Sequence, residues 1–359
     1  MASTAHPRNF GVKARLAQEL AGFTGSAKEF RALLSDREKT GDYHRVYTAE
    51  DIRHIRKKLL GVPHDRGASE PALLVFHMTK GGVGKTTMAV NVAVALALHG
   101  NRTLLIDGDP QGTASEMLGL DTADEQLRHI GHLMEAEYQG KKAPPEEAVR
   151  EVYPTRMLDV IPADITLARA NLWMVQATYR EKRFRQYLDA HREFFGCYDA
   201  IVVDTAPSTS VLNSALVNAA ERTVIAPLTL DGQSIKAAQV LADVIAESNG
   251  GREAGRQLSP LIVPNAYRSG QGLSQMALAK LIGEFRPYLA STVIPHSPSF
   301  PRQFSVETDD DSNLPALERE PGTTAARALL ELARDLIRAF DIRLAGTRDP
   351  RFMSTRAAA

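Results

Sequence analysis

The chain has 359 residues, of which 43% are hydrophobic and 24% charged, and its 43 basic residues balance its 43 acidic ones. These values are typical of a globular protein of one or two domains and exclude a disordered or fibrous chain. The single cysteine, Cys197, excludes an internal disulfide, an all-cysteine zinc site and a cluster ligated by cysteines of one chain. No run of 18 apolar residues and no signal-peptide pattern is present, so we expect a cytoplasmic protein.

Residues 1–66 are predicted to form a small helical N-terminal domain. Capping boxes begin helices at Ser26-Ala27-Lys28-Glu29 and Thr48-Ala49-Glu50-Asp51, and Gly61 would end the second helix. The second helix also carries four basic residues outside its apolar stripe. Two of them, Lys57 and Lys58, could simply complement the helix dipole. Residues 1–70 hold 13 basic and 9 acidic residues, an excess too small to decide whether they bind nucleic acid.

Residues 67–345 are predicted to form one α/β domain with a doubly wound, mostly parallel sheet, followed by a flexible tail at 346–359. Short apolar runs alternate there with helical patterns, as expected for strands covered by helices on both faces. The helical patterns include 86–99 and 322–340, and two surface loops are expected at 140–147 and 307–313. The predicted strands are 72–77, 103–107, 157–161, 200–204, 223–227, 261–264 and 291–294.

The segment Thr79-Lys80-Gly81-Gly82-Val83-Gly84-Lys85-Thr86-Thr87 lies between a predicted strand and a predicted helix. Glycines in such a turn let backbone N–H groups surround phosphate oxygens, and the helix N-terminus adds a partial positive charge. Lys85 would reach the β- and γ-phosphates, and the Thr86 hydroxyl would ligate magnesium. The segment therefore predicts binding of a nucleotide with Mg²⁺.

A second lysine, Lys80, follows Thr79, which stands where the ordinary motif has its first glycine. Lys85 and the loop amides already serve the phosphates within one subunit. Lys80 could instead reach a nucleotide held by a second copy of the chain, where an ion pair with desolvated phosphate is strong. This reasoning predicts a homodimer that closes on ATP.

With these residues the chain resembles the ParA/MinD group of P-loop ATPases, whose deviant Walker A box is similar to residues 80–87. The resemblance continues through 104–112, similar to the family's strand and first switch, and through 198–208, similar to its Walker B strand and second switch. It implies ATP hydrolysis that is weak alone and stimulated by a partner, with ATP and Mg²⁺ as cofactors. Residues 80–87 would bind the nucleotide, and Lys80 and Lys85 would act in catalysis.

Three aspartates follow predicted strands at the edge where the phosphate loop should lie. Asp109 matches the family's catalytic aspartate, since a carboxylate there can orient or deprotonate an attacking water. Asp204 matches the Walker B aspartate, which holds magnesium through water, and Asp107 is a second candidate for the magnesium shell. Pro207 and Ser208 would belong to the loop that senses the γ-phosphate.

Asn265 follows the strand at 261–264 and resembles the position from which family members contact adenine. An asparagine after a strand is also a common turn residue, so both interpretations stay open. Four basic residues lie in the region where related proteins place DNA-binding side chains, although each alone could be an ordinary surface charge. These DNA candidates are Arg268, Lys280, Arg286 and Arg302.

The flanking residues favour one branch of the family. One cysteine per subunit does not supply the thiolates of a nitrogenase-like reductase, and the C-terminal residues 346–359 lack the amphipathic helix of a membrane-bound relative. Residues 45–52 resemble the segment before the core of the longer plasmid partition ATPases, ParA and RepA, whose N-terminal winged-helix region binds operator DNA. The same region could instead serve as a dimer contact or a partner dock.

The resemblance thus implies an ATP-dependent DNA segregation ATPase for plasmids or chromosomes. It would dimerise on ATP, bind DNA without sequence preference at the nucleoid, and be stimulated by a ParB-like centromere-binding partner, with no role for a membrane. One alternative is a ParA-like ATPase that positions a protein cargo on the nucleoid. Another is a nucleotide-gated scaffold without turnover.

Overall fold

The computed structural model describes residues 7–35, 46–62, 70–124, 126–253, 255–298, 300 and 314–344. Several predictions concern residues outside these ranges. These predictions concern the domain boundary after residue 66, which lies within the undescribed residues 63–69, the DNA candidate Arg302, the surface loop at 307–313 and the tail at 346–359.

A seven-stranded sheet forms the centre of the molecule, in the strand order β5-β6-β4-β7-β3-β8-β9. Neighbouring strands are parallel except β5 and β6, which are antiparallel. The doubly wound fold class is therefore confirmed. The strands are β3 (Ala72–Phe76), β4 (Thr103–Gly108), β5 (Arg150–Tyr153), β6 (Leu158–Ile161), β7 (Ala200–Thr205), β8 (Thr223–Thr229) and β9 (Ser259–Asn265).

Helices cover both faces of this sheet, which is why its central strands are buried and mostly apolar, with polar residues at their carboxyl ends. Leu74 and Phe76 of β3 belong to the core on one face, whereas Leu73 and Val75 belong to the core on the other. The helices of this part are α4 (Lys85–Leu98), α5 (Thr113–Met117), α6 (Ile130–Tyr138), α7 (Ala170–Met174), α8 (Arg183–Ala190), α9 (Arg192–Phe195), α10 (Val211–Asn218), α11 (Ser234–Asn249), α12 (Gly272–Phe285), α13 (Ala316–Arg319) and α14 (Thr324–Ala339). None of the helices in the described ranges is both long and apolar enough to span a bilayer.

Two strand predictions need correction. The edge strand β5 was not predicted, because its sequence Arg-Glu-Val-Tyr lacks the continuous apolar run of the buried strands. The predicted strand at 291–294 is wrong, since these residues form no ladder: isolated bridges flank them, Ile262 with Leu289 and Tyr267 with Pro295, and Ile294 adds single backbone hydrogen bonds with Pro264 and Tyr267. Proline lacks the N–H that a longer ladder would need.

Within residues 7–35 and 46–62 the N-terminal region contains three helices, α1 (Ala14–Ala21), α2 (Ala27–Ala32) and α3 (Ala49–Leu60), and two-residue strands β1 (Gly11–Val12) and β2 (Tyr47–Thr48) that pair antiparallel. Both predicted capping boxes form, at Ser26 with Glu29 and at Thr48 with Asp51. Gly61 ends α3 in the left-handed conformation, with φ of 64°. Local sequence therefore predicted the starts of α2 and α3 and the end of α3, whereas α1 was not predicted.

The described N-terminal residues pack directly on the sheet domain. Ile52 and Ile55 of α3 share one hydrophobic cluster with α4 and α14. Arg53 is buried, donates to the carbonyl oxygen of Gly100 at 2.8 Å and pairs with the Asp199 carboxylate. The buried Arg56 guanidinium donates to the carbonyl oxygen of His99. Two of the four basic residues of α3, Arg53 and Arg56, thus connect the N-terminal region to the sheet domain through buried hydrogen bonds.

Candidate functional site

The carboxyl ends of β3, β4 and β7 lie side by side, because these strands are parallel neighbours in the sheet. The segment 77–84 follows β3, and α4 begins at Lys85, as the strand–loop–helix pattern predicted. Gly82 and Gly84 have φ of 71° and 84°, a backbone conformation that residues other than glycine rarely adopt. The loop is therefore held in a shape that depends on glycine.

Asn265, at the end of β9, supports this loop from the side. Its Nδ2 donates to the carbonyl oxygen of Val83 at 2.7 Å, and its Oδ1 accepts from the backbone N–H of Ala266 at 2.8 Å. A Cβ on Gly84 would lie 2.5 Å from the Asn265 Nδ2, so glycine is needed for this close approach. Both ends of the amide are thus engaged within the chain, and its predicted contact with adenine stays a prediction.

A cavity of about 240 Å³ opens beside the loop, large enough for a planar ring system. Sequence reasoning did not select the residues of the segment 294–300 that line it, since they belong to neither a motif nor a regular element. The lining includes Gly82, Thr87, Asn265, Ile294, His296 and Phe300. This wall is mixed, with apolar side chains and a few polar groups, as is usual for small-molecule sites.

Asp204 is the one acidic residue of β7 and lies near the carboxyl end of that strand, facing the phosphate loop. Neither of its buried carboxylate oxygens makes a hydrogen bond of standard geometry with a described residue, although the Thr86 hydroxyl and the Thr205 backbone N–H lie close enough to lower its pKa. Burial raises the pKa of Asp204 to about 6, while the nearby Lys85 ammonium and Thr86 hydroxyl act in the opposite direction. Unsatisfied buried carboxylate oxygens beside a hydroxyl are the oxygen donors that Mg²⁺ prefers.

Asp107, at the same level of β4, is engaged differently. One of its oxygens accepts from the backbone N–H of Asp109 at 3.1 Å, and the other accepts from the backbone N–H and the hydroxyl of Ser115 at 3.0 and 2.7 Å. Burial and the neighbouring Asp204 raise the pKa of Asp107 to about 7. These three hydrogen bonds hold the turn after β4 and the start of α5, so the metal-ligand role of Asp107 stays a prediction.

Asp109 lies in that turn, next to the Asp204 carboxylate. One oxygen accepts from the backbone N–H of Gln111 at 3.0 Å, and the other forms no hydrogen bond within the described part of the chain. The side chain is largely buried. A fixed carboxylate with one oxygen available is suited to orient a water molecule.

His77 contacts the same strand ends, and sequence reasoning assigned it no role. Its Nδ1 lies 2.9 Å from the Thr205 hydroxyl, which itself donates to the carbonyl oxygen of Phe76. Burial and, to a smaller extent, the positive charge of Lys85 lower the pKa of His77 to about 4. His77 is therefore neutral at pH 7 and links the base of the loop to β7 without adding charge.

The loop after β7 carries the predicted Pro207 and Ser208, both exposed. Asn213 of α10 fixes the start of this loop: its Oδ1 accepts from the backbone N–H of Ala206 at 3.2 Å, and its Nδ2 donates to the carbonyl oxygens of Ala206 and Ser208 at 2.7 and 2.8 Å. The sequence analysis did not predict this role for Asn213, because no local motif links it to its partners Ala206 and Ser208 in the preceding loop.

The Lys80 ammonium lies 2.8 Å from the Asp231 carboxylate, in the segment between β8 and α11. Both side chains are partly exposed, 29% and 38% respectively. Exposed ion pairs contribute roughly 0–1 kcal/mol, so this contact can be exchanged for another one at little cost. The structure thus places Lys80 at the rim of the phosphate loop, held by its own chain.

The described DNA candidates lie along α12 and its ends. Arg268 precedes the helix, Lys280 lies within it and Arg286 follows it, and all three are exposed. None of the three forms an ion pair with a described residue. Their charges are free to attract an anionic surface, and their role in DNA binding stays a prediction.

Comparisons with known proteins agree with this geometry. Residues 72–250 match a family model described as an AAA domain. The chain is 31% identical over 265 residues to the chromosome partitioning protein ParA of Caulobacter vibrioides (strain NA1000 / CB15N), covering 74% of this chain and 93% of that protein.

Solved structures share the fold. Cobyrinic acid a,c-diamide synthase from Mycobacterium smegmatis, with a bound ATP analog and magnesium, has a TM-score of 0.61 at 23% identity and covers 78% of this chain and 98% of its own. A putative plasmid partition protein from Borrelia burgdorferi B31, bound to AMPPNP, has a TM-score of 0.53 at 19% identity and covers 74% and 98%. The identity and coverage of the Caulobacter relative, together with the phosphate loop and the three strand-end aspartates, show that this chain belongs to the ParA family of P-loop ATPases.

Proposed function

We propose that this protein is an ATP-dependent DNA segregation ATPase that dimerises on ATP and Mg²⁺ and binds DNA without sequence preference. Its hydrolysis is slow alone and stimulated by a ParB-like centromere-binding partner, and it acts in the cytoplasm at the nucleoid. The observation that carries the proposal is the meeting of Lys85, Asp109 and Asp204 at the glycine loop, in a chain similar to a chromosome partitioning protein.

Each residue has a role that follows from its surroundings. Lys85 and the loop amides neutralise the terminal phosphates of ATP, and Asp109 orients the attacking water through its free oxygen. Thr86 and Asp204 hold Mg²⁺, since the buried Asp204 oxygens make no hydrogen bond of standard geometry with a described residue. Bound Mg²⁺ supplies positive charge that stabilises the negative charge of the phosphates.

Asp109→Ala tests the catalytic role. We expect hydrolysis to fall by roughly a hundredfold, the usual contribution of a general base or water-positioning group. ATP affinity should stay within about threefold of the wild-type value, because phosphate neutralisation depends on Lys85 and the loop. Phosphate release measured with Mg²⁺-ATP and calorimetric ATP binding separate the two effects.

The matched control for this experiment is Asp243→Ala, which removes an exposed carboxylate of α11. It should hydrolyse ATP like the wild type. Equal phosphate release from Asp109→Ala and Asp243→Ala would show that Asp109 has no catalytic role. A wild-type protein that binds ATP without releasing phosphate would instead favour the nucleotide-gated scaffold.

Lys80→Ala tests the predicted dimer. The variant should bind ATP as a monomer, but we expect its ATP-dependent dimer to weaken by at least about tenfold, since one charge-assisted phosphate contact per site is lost. Asp231→Asn is the informative companion, because it frees Lys80 from its own chain and should strengthen the dimer by up to about fivefold, the value of one exposed ion pair. Light scattering with and without ATP measures both, and an unchanged dimer in Lys80→Ala would disprove the cross-subunit contact.

DNA binding is assigned to the exposed residues Arg268, Lys280 and Arg286 along α12. Because they would contact phosphates, the logarithm of the affinity should fall by about 0.9 per contact for each decade of salt. Operator binding by residues 1–66 stays a prediction. Arg53 and Arg56 cannot contribute to it from their present positions, since both are buried against the sheet domain.

A further inference from the structure

An exposed apolar surface lies on the segment that follows β6. We name it the outer stripe and define it by Ile165, Leu172, Val175 and Tyr179. These side chains are 69%, 73%, 57% and 67% exposed, which is unusual for four large apolar groups within 15 residues. Ile165 begins a 3₁₀ helix and Leu172 lies in α7, whereas Val175 and Tyr179 lie at the C-cap and in the turn that follow α7. The segment is helical from 165 to 174, as a 3₁₀ helix (Ile165–Arg169) followed by α7.

The opposite face of the same segment is already used. Leu167, Ala170, Met174 and Ala177 are buried, and the first three belong to the hydrophobic cluster on one face of the sheet. A helical segment that is apolar on both faces is normally covered on both. The outer stripe therefore cannot be explained as part of this chain's own core.

Basic side chains lie beside the end of the stripe: the Lys182 ammonium is 5.9 Å from the centre of the Tyr179 ring, and Arg180 donates to the carbonyl oxygen of Val175 at 3.4 Å. Between residues 165 and 183 the sequence contains four basic residues and one acidic residue, Glu181. None of the four basic side chains forms an ion pair with any residue in the described ranges. They are Arg169, Arg180, Lys182 and Arg183. A surface of this kind fits a ligand that is apolar at its centre and acidic at its edges.

The segment also joins both loops of the phosphate site. Just before it, the backbone N–H of Ala163 donates to the Ser115 hydroxyl at 2.9 Å, and Ser115 in turn donates to Asp107. Within it, Asn171 Oδ1 accepts from the backbone N–H of Leu212, at 3.0 Å, where α10 begins after the second loop. A ligand on the outer stripe would thus contact a segment that is hydrogen-bonded to the elements following both β4 and β7.

We propose that the outer stripe is a docking site for an acidic amphipathic helix of another protein, whose apolar face covers Ile165, Leu172, Val175 and Tyr179. A second copy of this chain fits less well. In a symmetric contact through the same surface, the basic side chains beside the stripe of one copy would face those of the other, and like charges repel.

The test uses a defined probe. A fluorescent 18-residue peptide carries leucines at helical spacings of three and four and glutamates beside them, and a matched peptide has lysine at each glutamate. Binding is measured by anisotropy with the full chain and without nucleotide, so the result does not depend on ATP hydrolysis. We expect the acidic peptide to bind at least tenfold more tightly than the basic one.

Leu172→Glu should weaken binding of the acidic peptide by at least about tenfold, because it removes an apolar side chain that the bound peptide would cover and adds a charge that repels the peptide. The matched control, Val240→Glu, changes an exposed apolar residue of α11 and should leave binding unchanged. Since Leu172 is mostly exposed, the substitution should not affect folding, which circular dichroism can check.

Three results would overturn the proposal. In the first, the acidic peptide does not bind, or binds equally to Leu172→Glu and to the wild type. In the second, vesicles of phosphatidylglycerol and phosphatidylcholine bind the protein through Leu172 while the peptide does not, which would identify a membrane surface. In the third, Leu172→Glu abolishes ATP-dependent dimerisation in light scattering, which would identify a second copy as the occupant.

Discussion

Lys85→Ala is expected to reduce ATP affinity by roughly two to three orders of magnitude, since truncating one member of a buried charge pair costs about 2–5 kcal/mol. The Lys85 side chain is buried at the start of α4 and lies near Asp204. Without it, the negative charge of the phosphates would approach the Asp204 carboxylate with only the loop amides to offset the repulsion. Isothermal titration with Mg²⁺-ATP measures the loss.

The control for this variant is Lys141→Ala, which removes an exposed lysine after α6. We expect its affinity to equal that of the wild type. Circular dichroism should confirm that Lys85→Ala is folded, because the substitution also removes a positive charge that lowers the pKa of Asp204. If folded Lys85→Ala keeps wild-type affinity, the loop does not bind ATP through its phosphates.

Arg53→Ala is expected to destabilise the protein by about 3–5 kcal/mol, the usual cost of leaving one member of a buried ion pair without its partner. Arg53 reaches from α3 to Asp199, immediately before β7, and to the carbonyl oxygen of Gly100, after α4. Its loss would leave the buried Asp199 carboxylate without its charged partner, although the backbone N–H of Arg102 still donates to it at 2.7 Å. Urea denaturation followed by circular dichroism gives the free energy of unfolding.

Arg15→Ala provides the comparison, because Arg15 is an exposed residue of the N-terminal helix α1. Its effect should stay within about 0.5 kcal/mol, as for most surface substitutions. An equally small effect of Arg53→Ala would mean that the N-terminal helices contribute little through this contact and behave as a separate domain. The boundary at residue 66 could then be used to isolate the ATPase part.

The relation between the N-terminal region and the sheet domain illustrates a limit of sequence reasoning. Local patterns predicted α2 and α3 and their caps, because a capping box involves residues only three positions apart. The same patterns could not predict the partners of Arg53 and Arg56, since Asp199 and His99 lie 146 and 43 residues away along the sequence. The four basic residues of α3 lie outside its apolar stripe, but packing of the helix in the tertiary structure buries three of them, Arg53, Arg56 and Lys57.

The phosphate site shows the same division. Motif and spacing selected Lys80, Lys85, Asp109 and Asp204, and the parallel strands bring their segments to one edge of the sheet. Which partners each side chain takes there could not be predicted. Asp107 is held by Ser115 in a helix that the motif did not predict, Asn265 reaches back 182 residues to the loop, and Lys80 pairs with Asp231.

The sequence by itself determined that a glycine loop joins a buried strand to a helix, that apolar runs form a parallel sheet and that the chain resembles ParA-type ATPases. These features follow from backbone conformation and from patterns within a few residues. Only the tertiary structure decided the strand order, the edge strand β5, the buried contacts of Arg53 and the exposure of the outer stripe. They depend on which distant segments become neighbours, and strand order is set by packing of the whole chain rather than by any local pattern.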